Sequence, residues 1–195
     1  VKEGDHVLEI LDKYVFSEYH ANLDNKLAFI LGVYAAEGWV SQSTVGFSFG
    51  LNDPLKGQLQ EALKKRYPEN NVHERKVADR NGVYITTWNP DLAEICLKHI
   101  GTGSKVKKVS NLLRNESFIT QKTFLGAYLD GDGCIVQERS TKKGSSESGA
   151  LQLSSASNDL LSGVRKISLN LGVPATLSRH ERIASASTST VIDND

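Results

Sequence analysis

The sequence has few of the features of a membrane or secreted protein. It contains no apolar run that approaches the roughly 20 residues a spanning helix needs, and its start, Val-Lys-Glu-Gly-Asp, is not a signal peptide. Its only cysteines, Cys96 and Cys134, are far apart in the chain. This pattern predicts an intracellular protein with buried thiols and no membrane partner, and it disfavours a disulfide.

Methionine is absent from the 195 residues, and the chain begins at Val1. We interpret the chain as part of a longer protein, with residues 1–21 as a linker or the remnant of a host domain. It has neither an N-terminal Cys or Ser nor a C-terminal His-Asn pair, so we do not expect it to splice by itself.

An overall excess of one charge is also lacking, since 23 basic residues balance 23 acidic ones. The balance is uneven along the chain. Residues 1–99 carry 11 Lys and Arg against 14 Asp and Glu, a net of −3, whereas residues 100–183 carry 12 against 7, a net of +5. Because the field that attracts DNA is local, a basic face is compatible with a neutral total.

Two segments of the chain repeat each other. Residues 27–38 (LAFILGVYAAEG) and 123–133 (TFLGAYLDGDG) are apolar, contain small residues, and end in an acidic residue followed by glycine. Superposing Glu37 on Asp132 gives an offset of 95. Each segment predicts a helix that ends at its acid, with Gly38 or Gly133 in a left-handed conformation.

The repeat continues downstream of each acid. Residues 39–44 and 134–139 predict a first strand, and Val45, Phe47 and Phe49 alternate with small or polar residues as in a second strand. Asn-Asp pairs at 52–53 and 158–159 then indicate helix starts, and each helix is followed by His-Glu-Arg, at 73–75 and 180–182. The second copy has about eleven extra residues, which we place in a hairpin loop at 140–149.

The order of these elements predicts an α+β fold with two pseudosymmetric αββαββα halves, residues 22–115 and 116–195. Strand 82–88 and helix 90–99 complete the first half. We expect the second half to lack the equivalent last helix, which we interpret as truncation. The internal pseudo-twofold symmetry predicts a monomer.

The two motif segments resemble those of the LAGLIDADG homing endonucleases, especially the two-motif proteins encoded in inteins. The resemblance implies that the motif helices pack side by side and that each four-stranded antiparallel sheet lies in a DNA major groove. It also implies that Glu37 and Asp132 each serve a scissile phosphate. The small residues of the helices, among them Gly32, Ala28, Ala35 and Ala36 in one and Gly126 and Ala127 in the other, suit such close packing.

A carboxylate at a helix C-terminus is disfavoured by the helix dipole, and a divalent cation would offset that cost. Glu37 and Asp132 are therefore the predicted metal ligands, with the backbone of Ala36 and Gly131 as further candidates. Mg²⁺ suits carboxylate and phosphate oxygens, and Mn²⁺ or Ca²⁺ are candidate substitutes for binding. Metal-assisted in-line cleavage of a phosphodiester bond is the chemistry implied.

The resemblance also implies a basic residue near the metal. In residues 104–110 (SKVKKVS), Lys108 is the match, although Ser110 stands where the family has proline. Lys108 would stabilise developing charge on the phosphate or orient the attacking water. A solvated basic linker is the equally plausible alternative.

Polar and basic side chains on the predicted strands and loops are candidates to contact bases or phosphates of a long double-stranded site. They are Ser41, Gln42, Thr44, Ser48, Arg75, Lys76 and Arg80 in the first half and Gln137, Arg139, Lys142, Lys143, Gln152, Ser154, Arg179 and Arg182 in the second. Ordinary solvent-facing sheet surface is the competing interpretation of each one.

The resulting hypothesis is a sequence-specific, Mg²⁺-dependent DNA endonuclease. Two alternatives stay open: a catalytically silent DNA-binding or RNA maturase module of the same fold, and a non-functional remnant. His73 and His180 lack the spacing of a zinc site.

Overall fold

The computed structural model describes residues 23–77, 81–138 and 148–178. In the first half the elements are α1 (Asn25–Glu37), β1 (Gly38–Ser41), β2 (Thr44–Gly50), α2 (Pro54–Arg66), β3 (Val72–Lys76), β4 (Gly82–Trp88) and α3 (Pro90–His99). After it come α4 (Asn111–Arg114), α5 (Phe118–Asp132), β5 (Gly133–Glu138), β6 (Ser148–Leu153) and α6 (Asn158–Asn170). The α+β fold class is confirmed; only the four-residue α4 was not predicted.

The first half forms one antiparallel sheet with the strand order β1-β2-β4-β3. Strands alternate their side chains between two faces. One face carries buried Val45, Phe47 and Phe49, as the alternation predicted, and packs against the helices. The opposite face, which we call the open face, is formed by Trp39, Ser41, Thr44, Gly46, Ser48, His73, Arg75, Tyr84, Thr86 and Trp88.

The described part of the second half repeats the start of the first. Helix α5 ends at Asp132 as α1 ends at Glu37, and a strand begins at the next residue in each case. In register, Gly38 pairs with Phe47 and Gly133 pairs with Leu153. Strands β5 and β6 form a hairpin, and α6 follows it as α2 follows β2. The predicted truncation of the last helix concerns residues outside the described ranges.

Helices α1 and α5 pack so closely that a side chain could not fit at the crossing. A Cβ at Gly32 would lie 2.4 Å from the carbonyl oxygen of Phe124 and 2.7 Å from the Cβ of Ala127. A Cβ at Gly131 would lie 2.6 Å from the Cβ of Ala36. The predicted pairing through small residues is therefore correct for these positions.

Gly126 is an exception, because a Cβ there would meet nothing within 4 Å. The prediction that Gly126 serves the helix pair was wrong. It lies on α5 between Leu125 and Ala127, and on a helix adjacent residues point in different directions, so only some small residues of the motif reach the partner.

The prediction that the glycines after the two acids adopt a left-handed conformation was also wrong. Gly38 has φ −89° and Gly133 has φ −80°, both in extended rather than left-handed backbone. Glycine is required here because a side chain would clash. A Cβ at Gly38 would lie 2.2 Å from the Tyr34 ring, and one at Gly133 would lie 2.3 Å from the carbonyl oxygen of Leu129. The absence of a side chain lets the chain turn sharply from helix into strand at both positions.

Buried residues join the two halves into one core. Tyr34, Phe124 and Tyr128 are fully buried on the motif helices. Cys96 is also buried, but Cys134 is exposed, so the expectation of two buried thiols was wrong for the second. Its counterpart in the first half is Trp39 on the open face. No helix of the described residues has the length and apolarity to cross a membrane.

Candidate functional site

The packing of α1 against α5 brings the two predicted acids together. Glu37 is the last residue of α1 and Asp132 the last residue of α5. At the crossing, a Cβ on Gly131 would lie 3.9 Å from the Cγ of Glu37. The two carboxylates are both partly buried, and they interact electrostatically across the helix pair.

Burial makes both acids hold their protons more tightly. Burial is the main cause that raises the pKa of Glu37 to about 7, and the charges of Asp132 and Asp53 add to it. Burial also raises the pKa of Asp132, and Lys107 opposes that rise. A cleft that concentrates negative charge in this way is a site where a cation is favoured.

Lys107, not Lys108, is the basic residue that the structure places at the acids. Only 6% of Lys107 is exposed, whereas Lys108 is exposed to solvent. The two acids favour the charged ammonium, but burial outweighs them, so that the pKa of Lys107 is lowered from its usual value. The prediction of Lys108 was therefore wrong by one residue, since Lys107 is the lysine that lies near the acids.

The ammonium of Lys107 also forms hydrogen bonds with the C-terminal end of α1. Its Nζ donates to the carbonyl oxygens of Tyr34 and Ala35, at 2.9 Å each, and it lies 5.2 Å from the centroid of the Tyr34 ring. Carbonyls in the last turn of a helix lack partners within the helix, and a cation there is stabilised by the helix dipole. Lys107 thus supplies hydrogen bonds to the turn that carries Glu37.

The sequence held only a partial signal for Lys107, because Val109 lies two residues from Lys107 and the equally apolar Val106 lies two residues from Lys108. In an extended segment, residues two apart share a side. Val109 is apolar and buried in the structure, which places Lys107 on its side and Lys108 on the other. The expectation based on family spacing alone did not use this alternation.

Tyr128 completes the surroundings of the second acid. Its hydroxyl oxygen is buried and forms no well-oriented hydrogen bond with any described residue, although it lies close enough to Asp132 and Ser155 to interact with them. Burial and then the charge of Asp132 raise the pKa of Tyr128. The phenol is therefore a neutral group beside Asp132.

The donors at this site fit Mg²⁺. Mg²⁺ is typically held by one or two carboxylates together with water and the phosphates of a substrate. Glu37 and Asp132 provide two carboxylates, and the described ranges contain no group of three or more His, Cys, Asp and Glu that could form a complete protein cage. The backbone groups of Ala36 and Gly131 lie at the helix crossing, and their role as ligands stays a prediction.

The open face of the first sheet places some of the predicted DNA contacts together. Ser41, Thr44, Ser48 and Arg75 all lie on it, and Gln42 is exposed in the turn between β1 and β2, with φ 54°.

Lys76 lies on the other side of the sheet. Its pairing with Val83 puts its side chain on the helix-facing side. The neighbouring residue on that side, Glu74, bonds to Lys56 and Gln60 of α2. A contact from Lys76 to DNA on the open face is therefore not supported by its place in β3.

The sequence did not single out the aromatic residues of the open face. Trp39 covers Gly46, since a Cβ there would lie 2.2 Å from the Trp39 ring. The rings of Trp39 and Tyr84 meet edge to face with centroids 6.3 Å apart, and Trp88 is 66% exposed at the end of β4. For Tyr84 the available signal was its alternation with buried Val83 and Ile85.

In the second half the structure places only part of the predicted surface. Gln152 is exposed on β6 opposite Cys134, and Ser154 is exposed just after that strand. Gln137 lies in β5, but its side chain is outside the described part, as are Arg80, Arg139, Lys142, Lys143, Arg179 and Arg182.

Comparison with protein families supports the resemblance of the second motif segment. Residues 120–194 match the model of the LAGLIDADG-like domain, a segment that includes Asp132. No curated protein matches the sequence. Among solved structures, the chain is similar to the LAGLIDADG meganuclease I-AabMI bound to uncleaved DNA, with 13% identity, coverage of 78% of this chain and 74% of that one, and a TM-score of 0.46.

Proposed function

We propose that this chain is a sequence-specific endonuclease that hydrolyses both strands of a long double-stranded DNA site. The match of residues 120–194 to the LAGLIDADG-like domain supports the proposal. The observation that carries the proposal is the meeting of Glu37 and Asp132 at the ends of two crossed helices beside a buried lysine. The two pseudosymmetric halves would supply one acid for each strand. An origin within an intein belongs to this proposal.

The acids would hold divalent metal, with Mg²⁺ as the natural ion and Mn²⁺ or Ca²⁺ as substitutes for binding. When bound, the cation supplies positive charge that stabilises the phosphate oxygens during in-line displacement. Glu37 must lose its proton to act as a ligand. Because its pKa is raised to about 7, the ionised form predominates only above about that pH. Lys107 donates to the carbonyl oxygens of Tyr34 and Ala35 and so holds the last turn of α1 in place.

The open face is the surface that we propose for the major groove. Its exposed polar side chains include Ser41 and Arg75. An arginine can form a bidentate hydrogen bond with guanine. The half-buried Trp39 and Tyr84 offer apolar surface for the methyl group of thymine. Gln152 and Ser154 would extend the contact on the second half.

The decisive experiment uses Glu37→Gln and Asp132→Asn, with Asp130→Asn as the matched control. Asp130 is exposed on the same helix as Asp132, two residues before it. A selected duplex substrate with Mg²⁺ should be cut on both strands by the wild type and by the control. The other two variants should bind the duplex and leave it intact, because an amide is a poor ligand for Mg²⁺.

Undiminished cutting by either amide variant at the acids would refute the proposed chemistry. Specific binding without cleavage by the wild type, across Mg²⁺, Mn²⁺ and Ca²⁺, would instead favour a silent DNA-binding or RNA maturase module.

A further inference from the structure

Residues 101–110 lie between α3 and α4, at the end of the first half, and hydrogen bonds connect this segment to α1 and β1. We call this segment the linker. The hydroxyl of Tyr34 donates to the carbonyl oxygen of Gly101 at 2.9 Å, and the hydroxyl of Thr102 accepts from the backbone N–H of Val40 at 3.3 Å. Lys107 then donates to the end of α1 through its side chain. The linker therefore follows the helix that carries Glu37.

The same linker is fastened to the second half at Lys107 itself. The hydroxyl of Ser157 donates to the backbone carbonyl oxygen of Lys107 at 2.5 Å. Two residues later, Val109 packs on Gly163 of α6, where a Cβ would lie 2.6 Å from the Cβ of Val109. The backbone of Lys107 is thus bonded to the N-cap of α6, and its side chain is bonded to the end of α1.

Ser157 is buried, and its hydroxyl forms two hydrogen bonds. Only 1% of it is exposed, and its hydroxyl also accepts from the backbone N–H of Leu160 at 3.2 Å as the N-cap of α6. A hydroxyl can donate once and accept at the same time. The donated hydrogen goes to Lys107 and the accepted one comes from α6, so the single oxygen connects the start of that helix to the linker.

We propose that Ser157 is a positioning residue that sets the place of the Lys107 ammonium beside Glu37 and Asp132, so that the second half controls the charge at the acid of the first. The proposal deepens the proposed function and rests on it for its catalytic consequence. Loss of the donated hydrogen bond would let the linker move, and the ammonium would leave the carbonyls of Tyr34 and Ala35 more often.

The first test measures the position of Lys107 without any cleavage. The folded chain is acetylated with acetic anhydride, and mass spectrometry gives the rate at Lys107 relative to exposed Lys108. In Ser157→Ala this ratio should rise about fivefold, as expected for losing one net hydrogen bond. Ser157→Thr, which keeps the hydroxyl, should restore the wild-type ratio.

Ser117→Ala is the matched control, because Ser117 caps α5 through the same kind of bond to Thr120 and does not bond to the linker. It should leave the labelling ratio unchanged. If Ser157→Ala fails to fold by circular dichroism, Ser157→Asp replaces it, since aspartate keeps the N-cap but has no hydrogen to donate. An unchanged ratio in the Ser157 variant, or an equal rise in the control, would overturn the proposal.

The second test measures cleavage with a double-mutant cycle. Ser157→Ala should lower the single-turnover rate about tenfold, a loss within the range expected from misplacing a group at a reacting centre, while the Kd for DNA stays the same. In a Lys107→Met background it should have no further effect on the residual rate. Additive losses would mean that Ser157 acts only through general stability. A wild type that cuts nothing would refute the endonuclease, and the labelling ratio would still decide the role of Ser157.

Discussion

Replacing Lys107 with methionine tests the central electrostatic feature of the site. The substitution keeps a long side chain that can fill the buried space but removes the ammonium. Two hydrogen bonds to the end of α1 are then lost. The carbonyl oxygen of Tyr34 keeps a partner in the backbone N–H of Gly38, so the main loss falls on Ala35.

The magnitude follows from these contacts. An acceptor left without its partner costs about 1–3 kcal/mol, and the two acids lose the cation that moderates their repulsion. Against this, the variant no longer has to desolvate a buried ammonium, a cost of several kcal/mol that is offset in the wild type by its partners. We expect a net loss of about 2 kcal/mol in the free energy of unfolding. For a chain of this size that lowers Tm by about 4–8 °C.

The assay is thermal unfolding of metal-free protein followed by circular dichroism, with Lys108→Met as the matched control. The control changes an exposed residue and should leave Tm unchanged. Cleavage by Lys107→Met should fall about 10²–10³-fold, the range seen when a group that stabilises developing charge is removed. Equal Tm values for the two variants, or a greater loss in the control, would refute the placement of Lys107.

Three further outcomes are expected. Gly32→Ala should lower stability by about 1–3 kcal/mol because its methyl group would push α1 from α5, whereas Gly126→Ala, with open space around it, should raise stability by about 1 kcal/mol in a denaturant titration. With a pKa of about 7, Glu37 is protonated below that pH, so Mg²⁺ affinity measured by calorimetry should rise from pH 6 to pH 8. The metal-free protein should lose stability as the pH rises from about 4.5 to about 7. The reason is that the folded state holds this proton more tightly than the unfolded state. Arg75→Ala should weaken DNA binding and reduce its salt dependence, while Lys76→Ala, on the other side of β3, should change neither; equal effects of the two in a filter-binding assay would contradict the assignment of the open face.

Local patterns in the sequence predicted most of the secondary structure. The alternation at Val45, Phe47 and Phe49 predicted β2, and the structure buries these three residues on one face. Helix α3 and strand β4 have the bounds that were expected, since proline at the start of α3 and the alternation along β4 act within a few residues. The pairing of α1 with α5 was what the family resemblance of the two motif segments implied, and their small residues agreed with it.

What the sequence could not decide were contacts between residues far apart in the chain. It marked Gly32 and Gly126 alike as small, yet only Gly32 faces the partner helix, because facing depends on how the two helices cross. It marked Lys107 and Lys108 alike as basic. The choice between them depends on which side of the linker meets α1 and α6, a matter of tertiary packing.

The sequence by itself determined that Glu37 and Asp132 end two apolar helices, since periodicity and the following glycine are local properties. Only the tertiary structure decided that both acids are partly buried at one crossing and that a lysine held by Ser157 lies beside them. The physical reason is that burial and charge interaction depend on distances through space, and the repeated segments are separated by 95 residues along the chain.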